Sequence, residues 1–194
     1  MGQTGPVDEL IALDRSAQVW RDALALLPQD LSAPSYLPEW SLATVVNHVH
    51  GGGVRYRLYV EGGPGGEVTQ SRSADWCSPS PDTVFDQTQV ALRAAFVAHL
   101  GRPEPVPHPA GAMPVAALLR LRCLELTVHA WDIAKSVDLT GVETCPMPSD
   151  LADWLSREMA EGLRGLSTQG YFAAPPGSHS DDPRAELLRL CGRS

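Results

Sequence analysis

Glu125, His129 and Asp132 lie four and then three residues apart within LLRLRCLELTVHAWDIAKSV, residues 118–137. On a helix those offsets turn all three side chains to nearly one side. The remaining positions are almost all Leu, Val, Ile, Ala, Cys or Trp, the composition of a helix buried on every face. A carboxylate in a dry interior without a partner either costs several kcal/mol or takes up a proton, so these groups must face a paired network or a ligand-lined cavity. Glu and neutral imidazole one turn apart on a rigid helix are good ligands for a divalent metal of the zinc or nickel type.

Helix bundles build metal sites by aiming ligands from different helices into one core, so a third ligand is expected from a second helix. His48 and His50 are the choices, and because they stand about 200° apart around a helix, only one can face inward. Val45 and Val49 neighbour His48, whereas His50 falls on the side of Asn47 and Arg57, which selects His48. The spacing also admits a plainer reading, in which the histidines are hydrogen-bonded core residues and Glu125 and His129 pair with Arg120, Arg122 or Arg55. The H-E-x-x-H signature, a P-loop and a G-x-S-x-G elbow are missing from the sequence, which argues against a zinc protease, a nucleotide hydrolase and a serine esterase.

The elements that must hold these residues are helical. Apolar residues at Leu10, Ile11, Leu13, Ala17, Trp20, Leu24 and Leu27 predict a first helix over 7–27, stopped by Pro28. Residues 29–40 then form a loop that delivers Trp40 to a second helix over 41–59, with Ser41 or Glu39 at its start. Gly51, Gly52 and Gly53 interrupt that helix, at up to about 1 kcal/mol each relative to alanine. They mark a break, a close helix contact or room for a ligand. Residues 61–81, rich in Gly, Pro and Ser, read as a long surface loop. Ser80, Pro81 and Asp82 open a third helix that runs to about Leu100 and ends at Gly101. Ser149 reads as the cap of a helix carrying Leu151, Trp154, Leu155, Met159 and Leu163, and the tail turns helical again from Pro183 to Leu190. Neither a period-two strand run nor an internal repeat occurs. The expected class is all-α, an up-down four-helix bundle with additional C-terminal helix or helices, in one domain over 1–194.

With 194 residues, 43% of them hydrophobic and 20% charged, the chain can bury a sizeable core. Its formal charge of -8 disfavours nucleic acid and anionic membrane surfaces. Small molecules, or a second copy in a homodimer, are the expected partners. No window is apolar enough to span a membrane and the amino terminus lacks a signal-peptide pattern, so the expected location is cytoplasmic. Cys77, Cys123, Cys145 and Cys191 form no CxxC pair and read as reduced structural thiols.

PEWSLATVVNHVHGG, in which His48 follows Trp40 by eight residues, resembles the first signature of the mycothiol-dependent maleylpyruvate isomerase amino-terminal family, within the DinB-like superfamily. ELTVHAWDIAKSVDL resembles the second signature, with Glu125, His129, Trp131 and Asp132 in register, and ELLRLCGR resembles the closing stretch of single-domain members. The resemblance implies a DinB-like four-helix bundle that holds a divalent metal, usually zinc, through His48, Glu125 and His129, without the second domain of the isomerase itself. Three protein ligands leave a position open, the arrangement of a catalytic site. An incoming thiol there loses its proton at neutral pH. The expected activity is that of a metal-dependent thiol transferase, using mycothiol or a similar low-molecular-weight thiol against a small electrophile. Asp132 either orients His129, contacts the substrate or is an ordinary helix acid. Arg55 and Arg57 either hold an anionic ligand or are solvated. Isomerisation or other metal-dependent chemistry, and a non-catalytic bundle that binds a metal or small ligand, are the alternatives, because a fold and its ligands do not set the reaction.

Overall fold

A computed structural model of the chain describes residues 6–137, 146–170 and 172–193. Cys145 and most of the connection expected after Asp138 lie outside them. The helices are α1 (Pro6–Leu24), α2 (Leu42–Glu61), α3 (Gly65–Gln70), α4 (Pro81–His99), α5 (Val115–Ser136), α6 (Ser149–Thr168) and α7 (Pro183–Leu190). Among the described residues there is no strand, only two isolated bridges at Pro34–Ser41 and Val106–Met113. No helix among them is long and apolar enough to cross a membrane.

Four helices close a ring: α1 packs on α5 and α4, and α2 packs on the same two. Trp20, Phe85, Phe96, Leu118, Leu126 and Ile133 are fully buried inside it. Cross-contacts give the chain direction. Asp14 pairs with Arg93 and Arg21 with Asp86, so α1 and α4 are antiparallel. His48 meets His129 while Val49 meets Arg122, so α2 and α5 are antiparallel as well. Against this, His50 lies on Phe85 and the Val60 carbonyl accepts from Arg102, which makes α2 and α4 parallel. The direction therefore alternates from α1 to α2 and from α4 to α5, but not from α2 to α4. Parallel neighbours need a connection that returns along the length of the bundle, and residues 62–80 supply it. This stretch is not all loop: it holds α3, and Ser71 is buried against the bundle.

Local signals account for most helix ends. Ser41 caps α2, its Oγ accepting from the Thr44 N–H at 3.2 Å, and Ser80 caps α4 ahead of Pro81. Glu39 is not the cap of α2; it sits in the preceding turn at φ 65°. Ser149 is likewise not a cap, since Pro148 takes that position without a side-chain bond and Ser149 is already helical. The first helix stops at Leu24, three residues before Leu27, in a turn that precedes Pro28. The three glycines do not break α2, which runs unbroken across them.

Candidate functional site

A cavity of about 590 Å³ opens between α2, α5 and the loop that ends at Trp40. His48, Glu125 and His129 all line it. His48 Nε2 stands 3.2 Å from Glu125 Oε1, and the His48 and His129 rings meet edge to face with centroids 5.0 Å apart. Trp40 lies over both, 5.1 Å from His48 and stacked at 6.3 Å on His129.

Glu125 and His129 are held from behind. Glu125 Oε2 accepts from Arg122 Nη1 at 2.6 Å, and the same nitrogen donates to the Val49 carbonyl at 2.8 Å. Burial alone would raise the Glu125 pKa, but the Arg122 charge and the contact with His48 outweigh it and hold the carboxylate at about 2. Behind His129, Asp132 Oδ2 lies 2.8 Å from Nδ1. Asp132 is fully buried and is gripped a second time by Arg193, whose Nε and Nη2 donate to its two oxygens at 3.1 and 2.9 Å. Burial again pushes the acid up, while the bonds from His129 and Arg193 hold it below the usual carboxylate range. For His129 burial is the larger effect and favours the neutral ring despite the Asp132 bond. An ionised Asp132 is a pure acceptor, so Nδ1 of His129 carries its proton and Nε2 is left with a lone pair.

The cavity wall combines two surfaces. Leu37, Leu121, Leu124, Val128, Leu166 and Phe172 make one side apolar. Arg55, Arg72, Tyr59 and His108 make the other a wall of hydrogen-bond donors. The Ala110 N–H donates to His108 Nδ1 at 3.2 Å, so in the neutral ring, which burial favours, Nε2 keeps the proton and is a donor too. Arg55 lies in the cavity wall, its Nη1 and Nη2 donating to the Ser71 and His48 carbonyls at 3.4 and 3.3 Å. Arg57 does not: two residues on, about 200° around the helix, it lies outside the cavity and pairs with Glu61 at 3.4 Å.

His50 corrects a second expectation. It is fully buried, not on an outward side, because α2 is enclosed by α1 and α4 on that flank. Trp20 Nε1 donates to its Nε2 at 3.1 Å, which requires the proton to be on Nδ1, where it donates to the Trp76 carbonyl at 3.0 Å. Both nitrogens are satisfied, and burial brings the pKa down to about 4. His50 is therefore a core histidine and His48 the one that reaches the cavity.

The family model for the mycothiol maleylpyruvate isomerase N-terminal domain matches residues 13–134. The chain belongs to this family. The family is a DinB-like helical one, associated with mycothiol and with metal binding. No curated protein and no solved structure matched the chain.

Family membership raises the question of whether these residues suit a metal ion. Among the described residues no three His, Cys, Asp or Glu groups stand as a formed cage. The donor chemistry nevertheless suits a divalent ion, and the two spacings that involve His48 are close to those of ligands sharing one. Two tetrahedral ligands at about 2.05 Å from one ion lie roughly 3.3 Å apart, against 3.2 Å from His48 Nε2 to Glu125 Oε1. Two imidazoles bound in that way have centroids roughly 5.2 Å apart, against 5.0 Å for His48 and His129. A carboxylate on the far nitrogen of His129 is also the usual support of a ligating histidine. Asp132 and Arg193 of this chain thus stand behind His129, and neither Arg193, Arg72 nor His108 was foreseeable from helical spacing, because all three lie on connections or the tail.

Proposed function

We propose that this member of the family is a divalent-metal-dependent thiol transferase, in which His48, Glu125 and His129 hold the ion and the cavity receives a mycothiol-like thiol beside a small electrophile. The observation that carries the reading is the meeting of three potential ligands at one cavity, with Nδ1 of His129 committed to Asp132. Two nitrogens and one carboxylate oxygen suit zinc best. A divalent ion there would lower the pKa of an incoming thiol so that it reacts as its anion at neutral pH.

The protein's own residues do the rest. Asp132 and Arg193 keep the His129 ring turned with Nε2 toward the cavity. Arg122 keeps Glu125 ionised. Trp40, Leu124 and Val128 line the cavity beside the histidines. Arg72 and His108, with Arg55 anchored on the Ser71 and His48 carbonyls, bring donors to the cavity that Glu125 also lines, which suits an electrophile bearing a carboxylate or another acceptor group. Among the described residues no thiol lines the cavity, since Cys77, Cys123 and Cys191 all lie outside it.

Metal analysis of the purified protein, followed by thiol loss against a panel of electrophiles, tests the reading. About one zinc per chain and thiol consumption, both lost in His48→Ala, are expected. Metal uptake unchanged by His48→Ala would remove the site, and a metal with no thiol turnover would remove the transferase.

A further inference from the structure

We propose that Gly52, Gly53 and Arg122 form one positioning device for Glu125. The two glycines admit a flat, buried guanidinium between α2 and α5, and that guanidinium retains one carboxylate oxygen while leaving the other to the cavity. The inference rests on Glu125 being a ligand.

The two oxygens of Glu125 have separate partners. Oε2 accepts from Arg122 Nη1 at 2.6 Å, whereas Oε1 faces His48 at 3.2 Å. A Cβ at position 52 would stand 2.8 Å from Oε1, 3.0 Å from Oε2 and 3.2 Å from Arg122 Nη1. A Cβ at position 53 would stand 3.0 Å from Arg122 Nη2. Alanine normally improves a mid-helix glycine, but here the atoms in its way are the paired ends of Arg122 and Glu125, of which Glu125 lines the cavity. The pair therefore explains glycines that α2 otherwise has no use for, since none of them bends or ends it.

Arg122 is fully buried, yet its Nε and Nη2 find no acceptor among the described residues. A buried cation with so few bonds is a poor choice for packing alone. Its planar fork fits the slot between two helices in a way that the tetrahedral ammonium of lysine does not. By keeping Oε2, Arg122 restricts Glu125 to a single-oxygen contact and so preserves an open position for a substrate atom.

Cobalt(II) binding to the full chain, followed by its visible spectrum and by chelator competition, tests the device. Gly52→Ala and Arg122→Met should each lose about 10- to 100-fold in cobalt affinity and alter the spectrum, with helical content retained. Arg122→Lys, which keeps the charge but not the fork, should recover part of the affinity. Gly101→Ala, where an added Cβ meets nothing within 4 Å, should change neither. In the metal-free protein, slowly exchanging guanidinium protons of Arg122 should be seen by NMR and should shift in both Gly52→Ala and Glu125→Gln. Unchanged cobalt affinity and spectrum in Gly52→Ala and Arg122→Met would overturn the device. A wild-type chain that takes up no cobalt would overturn the ligand assignment itself, while the NMR arm would still decide whether the glycines hold the pair.

Discussion

Asp132 Oδ2 lies 2.8 Å from His129 Nδ1, fully buried on α5 one turn beyond the histidine it supports. Because Arg193 grips the same carboxylate, neutralising Asp132 removes the partner of two groups at once. Asp132→Asn should lower metal affinity about 10- to 100-fold, measured by chelator competition. It should also cost about 3 kcal/mol of stability, because the largely buried guanidinium loses its charge partner and keeps only the Cys191 carbonyl as a strong acceptor. Unchanged metal affinity in the variant would show that His129 needs no such support.

His50 predicts the acid limb of stability. Its pKa falls from the ordinary 6.5 to about 4 in the folded chain, so the unfolded chain binds the proton more readily. The sign follows: this contribution is fully present above about pH 6.5 and is lost as the pH falls toward 4, by about 3 kcal/mol in all. His50→Gln can still accept from Trp20 and donate to the Trp76 carbonyl. Urea unfolding of the variant between pH 4 and 6.5 should show a flatter dependence than the wild type.

Glu39 holds a left-handed backbone at φ 65°. That conformation costs about 1–2 kcal/mol for a residue with a Cβ, whereas glycine loses only about 0.5–1 kcal/mol in chain entropy. Glu39→Gly should therefore stabilise the protein slightly, with a rise in Tm of roughly 2–4 °C in calorimetry.

The donor wall separates two arginines that share a helix or its neighbourhood. Arg72→Gln should weaken binding of an acidic electrophile about 10-fold or more, the loss expected for one charge-assisted bond. Arg57→Gln, outside the cavity, should leave it unchanged. Equal effects from the two would point to long-range charge rather than contact.

Burial raises the Cys77 thiol to about 11 and the Cys123 and Cys191 thiols to about 12. Slow alkylation of all three by iodoacetamide at pH 8 is expected in the native protein, read by mass spectrometry. Cys77→Ser should retain thiol consumption.

Residues that share one helix were the easiest to read. Glu125, His129 and Asp132 owe their common direction to helical spacing, and Ser80 with Pro81 announces the start of α4 through local chemistry alone. His50 was misplaced because the spacing argument allowed α2 a single enclosed face, whereas α1 and α4 cover one flank and α5 the other. The glycines could not be interpreted within α2, since the atoms they accommodate belong to α5. Ser149 looked like a cap only because the helix was assumed to begin one residue later than it does. Arg72, His108 and Arg193 carry no periodic signal, and only the folded chain brings them to the cavity.

Trp40 has a consequence of another kind. Its indole stacks on His129 and tilts against His48 at the cavity edge, and nothing that enters beside those rings can leave its surroundings unaltered. The protein thus carries its own optical reporter: occupancy of the site can be followed through tryptophan emission without a label, with Trp40→Phe, which keeps the other four tryptophans, as the reference for the Trp40 contribution.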